Sequence, residues 1–512
     1  MALDVSAKDL KLGIVGTGAM GRGIAQIAAQ ANIHVLLYDG ALGAANRAAE
    51  TIASTLYALA EKGKIDKDTA ASAVGRLEVV HYLADMTSCR LVIEAVVEDL
   101  EVKRQLFKSL EDIVDHECIL ATNTSSLSVT AIAAACKLPA RVAGFHFFNP
   151  VPLMKIVEII DGLLTEPWVG EALVGLAQRM GHAPVRAKDT PGFIVNHAGR
   201  GFVTEALRVL GEEVAPFHEI DRIMREAAGF RMGPFELLDL TALDVSQPVM
   251  ESIYNQYFHE PRFRPSALSA QRLRGGLLGR KTGRGFYTYD NNQPLPLPVP
   301  PVPKATPKPV WVSPAQPEFG RQVARLVEEL GADRDFGQRP RPDALCIVTP
   351  LGQDTTSCCL AEGLDARRTV AVDALFDLSK LRTLMLTPIT AHDIRDAAHA
   401  LLAADGVPVS VICDSAGLVA QRIVATIVNI GCDIAQQRIA VPEDIDRAVQ
   451  LGLGYPRGPL AMGDAVGARN ILAIVENMLS FYGDPRYRPS PWLKRRALLG
   501  VSLLTPEAGR SA

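Results

Sequence analysis

Apolar and polar positions alternate in short blocks along the first third of the chain. Between Lys11 and Ala187, mostly apolar runs at 11–15, 33–38, 77–80, 90–96, 118–122, 141–148, 155–160 and 183–187 are separated by stretches with helical spacing. The segment after Gly18 places Met20, Ile24, Ile27, Ala28 and Ala31 on one helical face. Such alternation predicts an α/β, doubly wound, mostly parallel sheet. From Thr190 to about Gly285 the strand pattern stops. Helical runs broken by Gly229, Gly233-Pro234, Pro261 and Pro265, including a helix over Gly192–Leu210, predict an all-α domain. Residues 294–317 (PLPLPVPPVPKATPKPVWVSPAQP) are too proline-rich for either class. Their extended polyproline II preference makes a semi-rigid spacer, with an SH3-type ligand as the weaker reading.

Beyond the spacer the pattern repeats. Asp414-Ser-Ala-Gly417 follows Asp189-Thr-Pro-Gly192 at a spacing of 225 residues, and Ile445-Asp446 and Gly458-Pro459 follow Ile220-Asp221 and Gly233-Pro234 at the same spacing. Pro485-Arg-Tyr-Arg-Pro489 then answers Pro261-Arg-Phe-Arg-Pro265 after a one-residue deletion. Landmarks kept in order over such a length indicate duplication. Apolar runs at Leu345–Thr349, Thr369–Asp373, Thr383–Pro388 and Pro408–Cys413 extend the repeat backwards as a truncated sheet without a glycine fingerprint. Aligning Thr383–Pro388 with Phe145–Pro150 puts Leu384 where the first copy has His146 and Thr387 where it has Asn149, and Gln421 answers Asn196. The second copy therefore reads as catalytically silent. The expected division is 1–188 (dinucleotide domain), 189–290 (helical), 291–318 (linker), 319–413 (truncated, degenerate α/β segment) and 414–512 (second helical domain).

A length of 512 residues is too great for one core. Apolar content of 48% and charged content of 21% suit a soluble globular protein, and 53 basic against 57 acidic residues give no electrostatic reason to expect nucleic acid or an anionic membrane as partner. The first residues lack a secretory core and no run is long enough to span a bilayer. Eight cysteines without C-x-x-C spacing read as reduced thiols of a cytoplasmic protein, not as a disulfide framework or a metal site.

The candidate chemistry lies in the first copy. Gly16-Thr-Gly18-Ala-Met-Gly21 follows a strand and opens a helix, the arrangement that brings backbone N–H groups to a pyrophosphate. Asp39 ends the next strand, where a carboxylate accepts from the adenosine ribose and repels a 2′-phosphate, favouring NAD over NADP. His146 ends one apolar strand and Glu158 sits within the next. A charge in an apolar strand needs a partner, and a carboxylate-held imidazole is a general acid/base for neutral pH. Ser125, in Asn123-Thr-Ser-Ser126, follows a parallel strand at the end that lines ligand crevices, with helix capping as the plainer explanation. Asn196 stands among Phe193, Ile194 and Val195 at a domain junction, a position for site lining. Glu94, Glu98, Lys103 and Lys281 are charged groups within possible reach of the cofactor, and Lys62 and Lys64 form a basic turn suited to a phosphorylated carrier; solvated surface charge is the plainer account of all of these.

The set GIVGTGAMGRGIAQ, VIEAVVEDLEVK, ATNTSSL, GFHFFNPVPLMKIVEII, DTPGFIVN, GFRMGPFELLDL and GRKTGRGFY, in order over residues 10–290, resembles the L-3-hydroxyacyl-CoA dehydrogenase family. The tandem, linker-joined layout resembles its phenylacetate-degradation branch, which acts on 3-hydroxyadipyl-CoA, and related 3-hydroxybutyryl-CoA dehydrogenases. The resemblance implies NAD-dependent oxidation of a 3-hydroxyacyl-CoA between the first two domains. His146 would take the hydroxyl proton, Glu158 would hold His146, and Ser125 and Asn196 would bond the substrate oxygen. Glu94, Lys103, Asn149 and Lys281 would contact NAD, and Lys62 and Lys64 are candidates for CoA. The family dimerises through its helical domain, so the second copy could replace a partner and form an internal pseudo-dimer, alone or within a homo-oligomer. Two rival readings are a Rossmann dehydrogenase of a free 3-hydroxy acid, which would want a lysine where Asn196 stands, and a silent NAD-binding structural or regulatory protein.

Overall fold

The computed structural model describes residues 3–298 and 300–508; residues 1–2 of the expected first domain, Val299 of the linker and residues 509–512 of the last domain lie outside the described residues. The chain forms two compact units, Met1–His197 with Gln437–Gly454, and Ala198–Gln436 with Tyr455–Ala512.

The first unit is built on eight strands: β1 (Lys11–Val15), β2 (His34–Tyr38), β3 (Leu77–Val79), β4 (Leu91–Glu94), β5 (Ile119–Thr122), β6 (Val142–Phe147), β7 (Ile156–Asp161) and β8 (Ala183–Lys188). Their order is β3-β2-β1-β4-β5-β6-β7-β8. Leu12, Ile14, Val35, Leu37 and Ile93 of the sheet are buried with Ile24, Ile27 and Ala28 of the Ala19–Gln30 helix, the continuous apolar strand pattern of a sheet covered on both faces. Neighbouring strands run parallel except β6 and β7. That reversal sets His146 directly opposite Glu158, where cross-strand side chains meet. β8 would be an exposed edge, a liability for pairing with other chains. It is covered by the returning segment: the Lys188 N–H donates to Ile439 O at 2.9 Å and the Arg186 N–H to Asp444 Oδ2 at 3.3 Å, while the Pro442–Leu453 helix packs on β7 and β8. Residues 437–454 thus cluster with the first unit and cover the edge of its sheet.

The helix expected over 192–210 is two pieces, Val195–Ala198 and Arg200–Gly211. Gly192 and Phe193 take positive φ (76° and 47°), which delays its start.

The second unit holds most of both helical copies and a five-stranded sheet: Val310–Val312, Leu345–Val348, Thr369–Val372, Arg382–Leu386 and Val409–Ile412, paired in chain order as parallel, parallel, antiparallel, parallel. β4 to β8 run through the same directions, so this sheet is the first one without β1–β3 and the glycine loop. Val310–Val312 lies inside the stretch expected to be linker, and its Trp311 is buried, as a spacer residue would not be. At the centre of this unit Glu205, 1% exposed, accepts from Arg422 Nε (2.6 Å), Arg486 Nη1 (3.0 Å) and Tyr487 OH (2.6 Å), joining the first helical copy to the second.

Several contacts recur in reciprocal form. Cys413 N–H donates to Val214 O at 2.9 Å as Lys188 N–H donates to Ile439 O, each residue 225 positions from its counterpart. Glu219 and Asp444, also 225 positions apart, each accept from the last strand of the other copy's sheet, from Ser410 Oγ and from the Arg186 N–H. Arg488 pairs with Glu260 at 2.8 Å and Arg264 faces Asp484 at 3.9 Å. Residue i of one copy meets j of the other, and j meets i.

Candidate active site

Gly16 takes φ +94°, and a Cβ there would lie 2.6 Å from Ala95 O; a Cβ on Gly21 would strike Gly16 O at 1.9 Å. The loop therefore closes only with glycine at these places. Gly18, which begins the Ala19–Gln30 helix without a side-chain cap, has open space where its Cβ would stand, so a phosphate can approach the helix N–H groups. Asp39 follows β2 and accepts from Thr17 N–H (2.7 Å) and Thr17 Oγ1 (2.8 Å) through Oδ2, and from Ala41 N–H (2.9 Å) through Oδ1. Burial raises the Asp39 carboxyl, but these bonds outweigh it and hold the group below its usual range. The loop and its carboxylate fit a dinucleotide with an unphosphorylated ribose.

The sequence-predicted pair is in contact. His146 Nδ1 lies 2.7 Å from Glu158 Oε2, with the histidine 4% and the glutamate 0% exposed. Glu158 Oε1 accepts from the Ile194 and Val195 N–H groups, both at 2.9 Å. These N–H groups open the Val195–Ala198 helix, so the carboxylate also gains from the positive end of that turn. Phe148 and Phe193 flank the imidazole at centroid distances of 4.4 and 5.9 Å. With Nδ1 held by an anion, Nε2 is the nitrogen left to exchange a proton with a ligand. Asn196 follows Val195 directly and is half-buried.

Ser125 is half-buried in the loop after β5. Its N–H donates to Glu98 Oε1 (3.1 Å), which also accepts from Thr124 Oγ1 (2.6 Å), Ser126 N–H (3.2 Å) and Ser126 Oγ (3.0 Å). Burial raises the Glu98 carboxyl, and the Lys103 charge and these bonds override it, holding the group low. Asn123 Oδ1 accepts from the Phe147 N–H at 2.9 Å, tying this loop to the strand that carries His146. The cap of the Val129–Ala133 helix is Ser128, whose Oγ accepts from the Ala131 N–H at 3.1 Å, so the capping explanation falls to Ser128 and not to Ser125.

Glu94 is fully buried and accepts from Lys103 Nζ (2.6 Å), Thr122 Oγ1 (2.7 Å) and the Val96 N–H (2.7 Å). Lys103 is 1% exposed and also faces Glu98 Oε2 at 3.3 Å. The sequence pattern marked the Glu94–Glu98 stretch without revealing that Glu98 organises the serine loop; its four acceptor bonds come from residues some 27 positions away. Asn149 is exposed just beyond β6, and Lys62 and Lys64 are exposed in the turn after the Ala44–Glu61 helix. Lys281 belongs to the second unit and pairs with Asp244.

The second sheet allows a residue-by-residue comparison. Val348 ends its strand six residues before the cap Asp354, as Thr122 does before Ser128. Asp414 holds the Thr355 and Thr356 N–H groups as Asp189 holds those of Val129 and Thr130. Following the registers outward, Ala371 answers Gly144, Asp373 answers His146 and Thr383 answers Glu158. The expected alignment of Leu384 with His146 and Thr387 with Asn149 is therefore one strand out: Leu384 stands at the place of Ile159. Short apolar strands carry too little pattern to distinguish neighbours. Gln421, the counterpart of Asn196, donates to Asp373 Oδ1 (2.9 Å) and Pro350 O (3.0 Å) and accepts from the Gly352 N–H (2.9 Å). Its amide is fully engaged within the fold.

Comparison with known proteins decides the lineage. The NAD-binding-domain profile of 3-hydroxyacyl-CoA dehydrogenase matches residues 11–190, and the C-terminal-domain profile of the same family matches twice, at 192–289 and 417–503. The chain belongs to the 3-hydroxyacyl-CoA dehydrogenase family. It is 38% identical over 95% of its length to the 3-hydroxyadipyl-CoA dehydrogenase of Escherichia coli (strain K12), of which it covers 97%. It is 40% identical over 55% of its length to a probable 3-hydroxybutyryl-CoA dehydrogenase of Deinococcus radiodurans, covering all of that protein. The crystal structure of 3-hydroxybutyryl-CoA dehydrogenase from E. coli K12 superposes with a TM-score of 0.84 at 36% identity, over 96% of this chain and 98% of that one. The doubled C-terminal domain, the α/β fold and the NAD-dependent 3-hydroxyacyl-CoA dehydrogenase activity follow from these matches. Both rival readings give way to this assignment. Among the described residues no helix is long and apolar enough to cross a membrane, and none of the eight cysteines forms a disulfide.

Proposed function

We propose that this dehydrogenase oxidises a short (S)-3-hydroxyacyl-CoA, foremost 3-hydroxyadipyl-CoA, to the 3-oxoacyl-CoA in the cytoplasm. The observation that carries the mechanism is the 2.7 Å contact between His146 Nδ1 and a Glu158 carboxylate that is itself held by two backbone N–H groups. His146 Nε2 takes the substrate hydroxyl proton, and Glu158 fixes the ring and stabilises the imidazolium that results. Bound NAD supplies the acceptor for the hydride that leaves carbon 3. Ser125 and Asn196 donate to the substrate oxygen, bonds that strengthen as it becomes a carbonyl. Gly16, Gly18 and Gly21 receive the pyrophosphate, Asp39 the adenosine ribose, and Asn149 and Lys103 the nicotinamide side. Glu94 acts from behind, holding Lys103 in place, and Glu98 takes its place at the rim of the serine loop. Lys62 and Lys64 attract the CoA phosphates.

The preference for a dicarboxylyl chain rests on the tandem layout, shared over nearly full length with the E. coli 3-hydroxyadipyl-CoA dehydrogenase. Steady-state kinetics with 3-oxoadipyl-CoA and acetoacetyl-CoA test it. A kcat/KM at least tenfold higher for the dicarboxylyl substrate supports the reading, and the reverse order refutes it.

The reciprocal contacts support an internal pseudo-dimer in which the second helical copy takes the place of a partner subunit. Sedimentation at micromolar concentration should then give the mass of a single chain, and a stable dimer would remove this account of the second copy.

A further inference from the structure

The second copy lacks the reacting groups, yet one of its residues touches the structure that holds the dyad. Gly452 lies near the end of the Pro442–Leu453 helix, against Val195. A Cβ built on Gly452 would stand 2.9 Å from both Val195 Cγ1 and Cγ2, closer than carbon atoms pack. Val195 is 1% exposed and β-branched, so its side chain is stiff about χ1 and yields little to a neighbour. Its own backbone N–H is one of the two that hold Glu158 Oε1, at 2.9 Å, and Glu158 holds His146 at 2.7 Å. Asn196 is the next residue. A glycine inside a helix ordinarily costs stability relative to alanine, so its presence points to a close approach that a side chain would block.

We propose that Gly452 is a positioning residue for the reaction: its bare Cα lets the helix of the second copy seat against Val195 and so fixes the N–H groups that aim Glu158 at His146. This rests on the dyad reading above. A side chain at 452 forces the first turn of the Val195–Ala198 helix outward. A shift of a few tenths of an ångström lengthens both 2.9 Å bonds to Glu158 toward the limit of good hydrogen-bond length, and the imidazole loses part of its aim.

The test uses the full-length protein. Gly452→Ala should lower kcat for acetoacetyl-CoA reduction about tenfold, displace the pH–rate profile and leave NADH binding unchanged. Val195→Ala in the same chain, which removes the opposing methyls, should restore most of the loss, with Val195→Ala alone as its reference. Val195→Ile, which presses on the same contact from the other side, should mimic Gly452→Ala and carries the test should the alanine variant not fold. Wild-type kcat and pH profile in Gly452→Ala, or a double variant as slow as the single one, overturns the proposal. His146→Gln measured alongside separates the two failures. If it is inactive while Gly452→Ala is normal, only this inference falls; if it is active, the dyad reading falls with it.

Discussion

Two places in this chain share one sheet geometry and differ in what they can do. In the first, His146 meets Glu158 across the antiparallel strand pair, and Asn196 follows the turn that holds the glutamate. In the second, Asp373, Thr383 and Gln421 occupy the matching positions. Strand directions, the aspartate that holds the first N–H groups of the next helix and the order of elements are the same. The first place keeps a ring nitrogen for a ligand; the second spends its acid and its amide on each other. On the proposed mechanism, shared fold and chemical competence are therefore separable, and three residue types distinguish the two places.

That contrast can be broken or sharpened by substitution. The largest effect should come from the cluster joining the copies. Glu205→Ala leaves the buried Arg422 and Arg486 without their shared carboxylate and should cost about 3–5 kcal/mol of stability in denaturant unfolding; a loss under 1 kcal/mol would mean that the copies are not held together there. In the active copy, Glu158→Gln keeps the shape but not the charge, and should lower kcat by about 10²-fold with NADH binding intact. In the silent copy, Asp373→Asn should leave kcat unchanged while altering the pH dependence of stability. Burial pushes the Asp373 carboxyl up to about 6, against the bonds from Gln421 and Leu375. Its folded value is raised above the unfolded one, so its stabilising contribution is whole below about pH 4 and is lost as the pH rises through about 6. The asparagine variant should therefore gain about 1–3 kcal/mol relative to wild type at pH 8 and little at pH 4, read from urea midpoints at the two pH values. A flat difference would show that the carboxyl is not a proton-linked group. Smallest of all, Lys62→Glu with Lys64→Glu should raise KM for acyl-CoA about three- to tenfold without altering kcat, and an unchanged KM would move the carrier site elsewhere.

How much of this was legible in the sequence follows from how much each residue says locally. Most strands of the first sheet were readable because strands buried on both faces form dense apolar runs. Glu158 stood out because a carboxylate within such a run is costly unless it is paired. The placement of the second copy was not readable to the residue. Its strands lack a carboxylate like Glu158 within an apolar run, and an alignment sliding by one strand still looks apolar. Val310–Val312 was hidden by the surrounding prolines. The division of labour between Glu94 and Glu98 depends on which carboxylate the fold seals, and the Gly452–Val195 contact joins residues more than 250 positions apart. No local pattern carries either.

The central claim is that chemistry resides at His146 alone of the two matched positions. Its most direct test is the kcat of full-length His146→Gln with acetoacetyl-CoA and NADH, with NADH binding followed by fluorescence. The account predicts a loss of about 10²–10⁴-fold with NADH affinity unchanged, and a kcat within a few fold of wild type would contradict it.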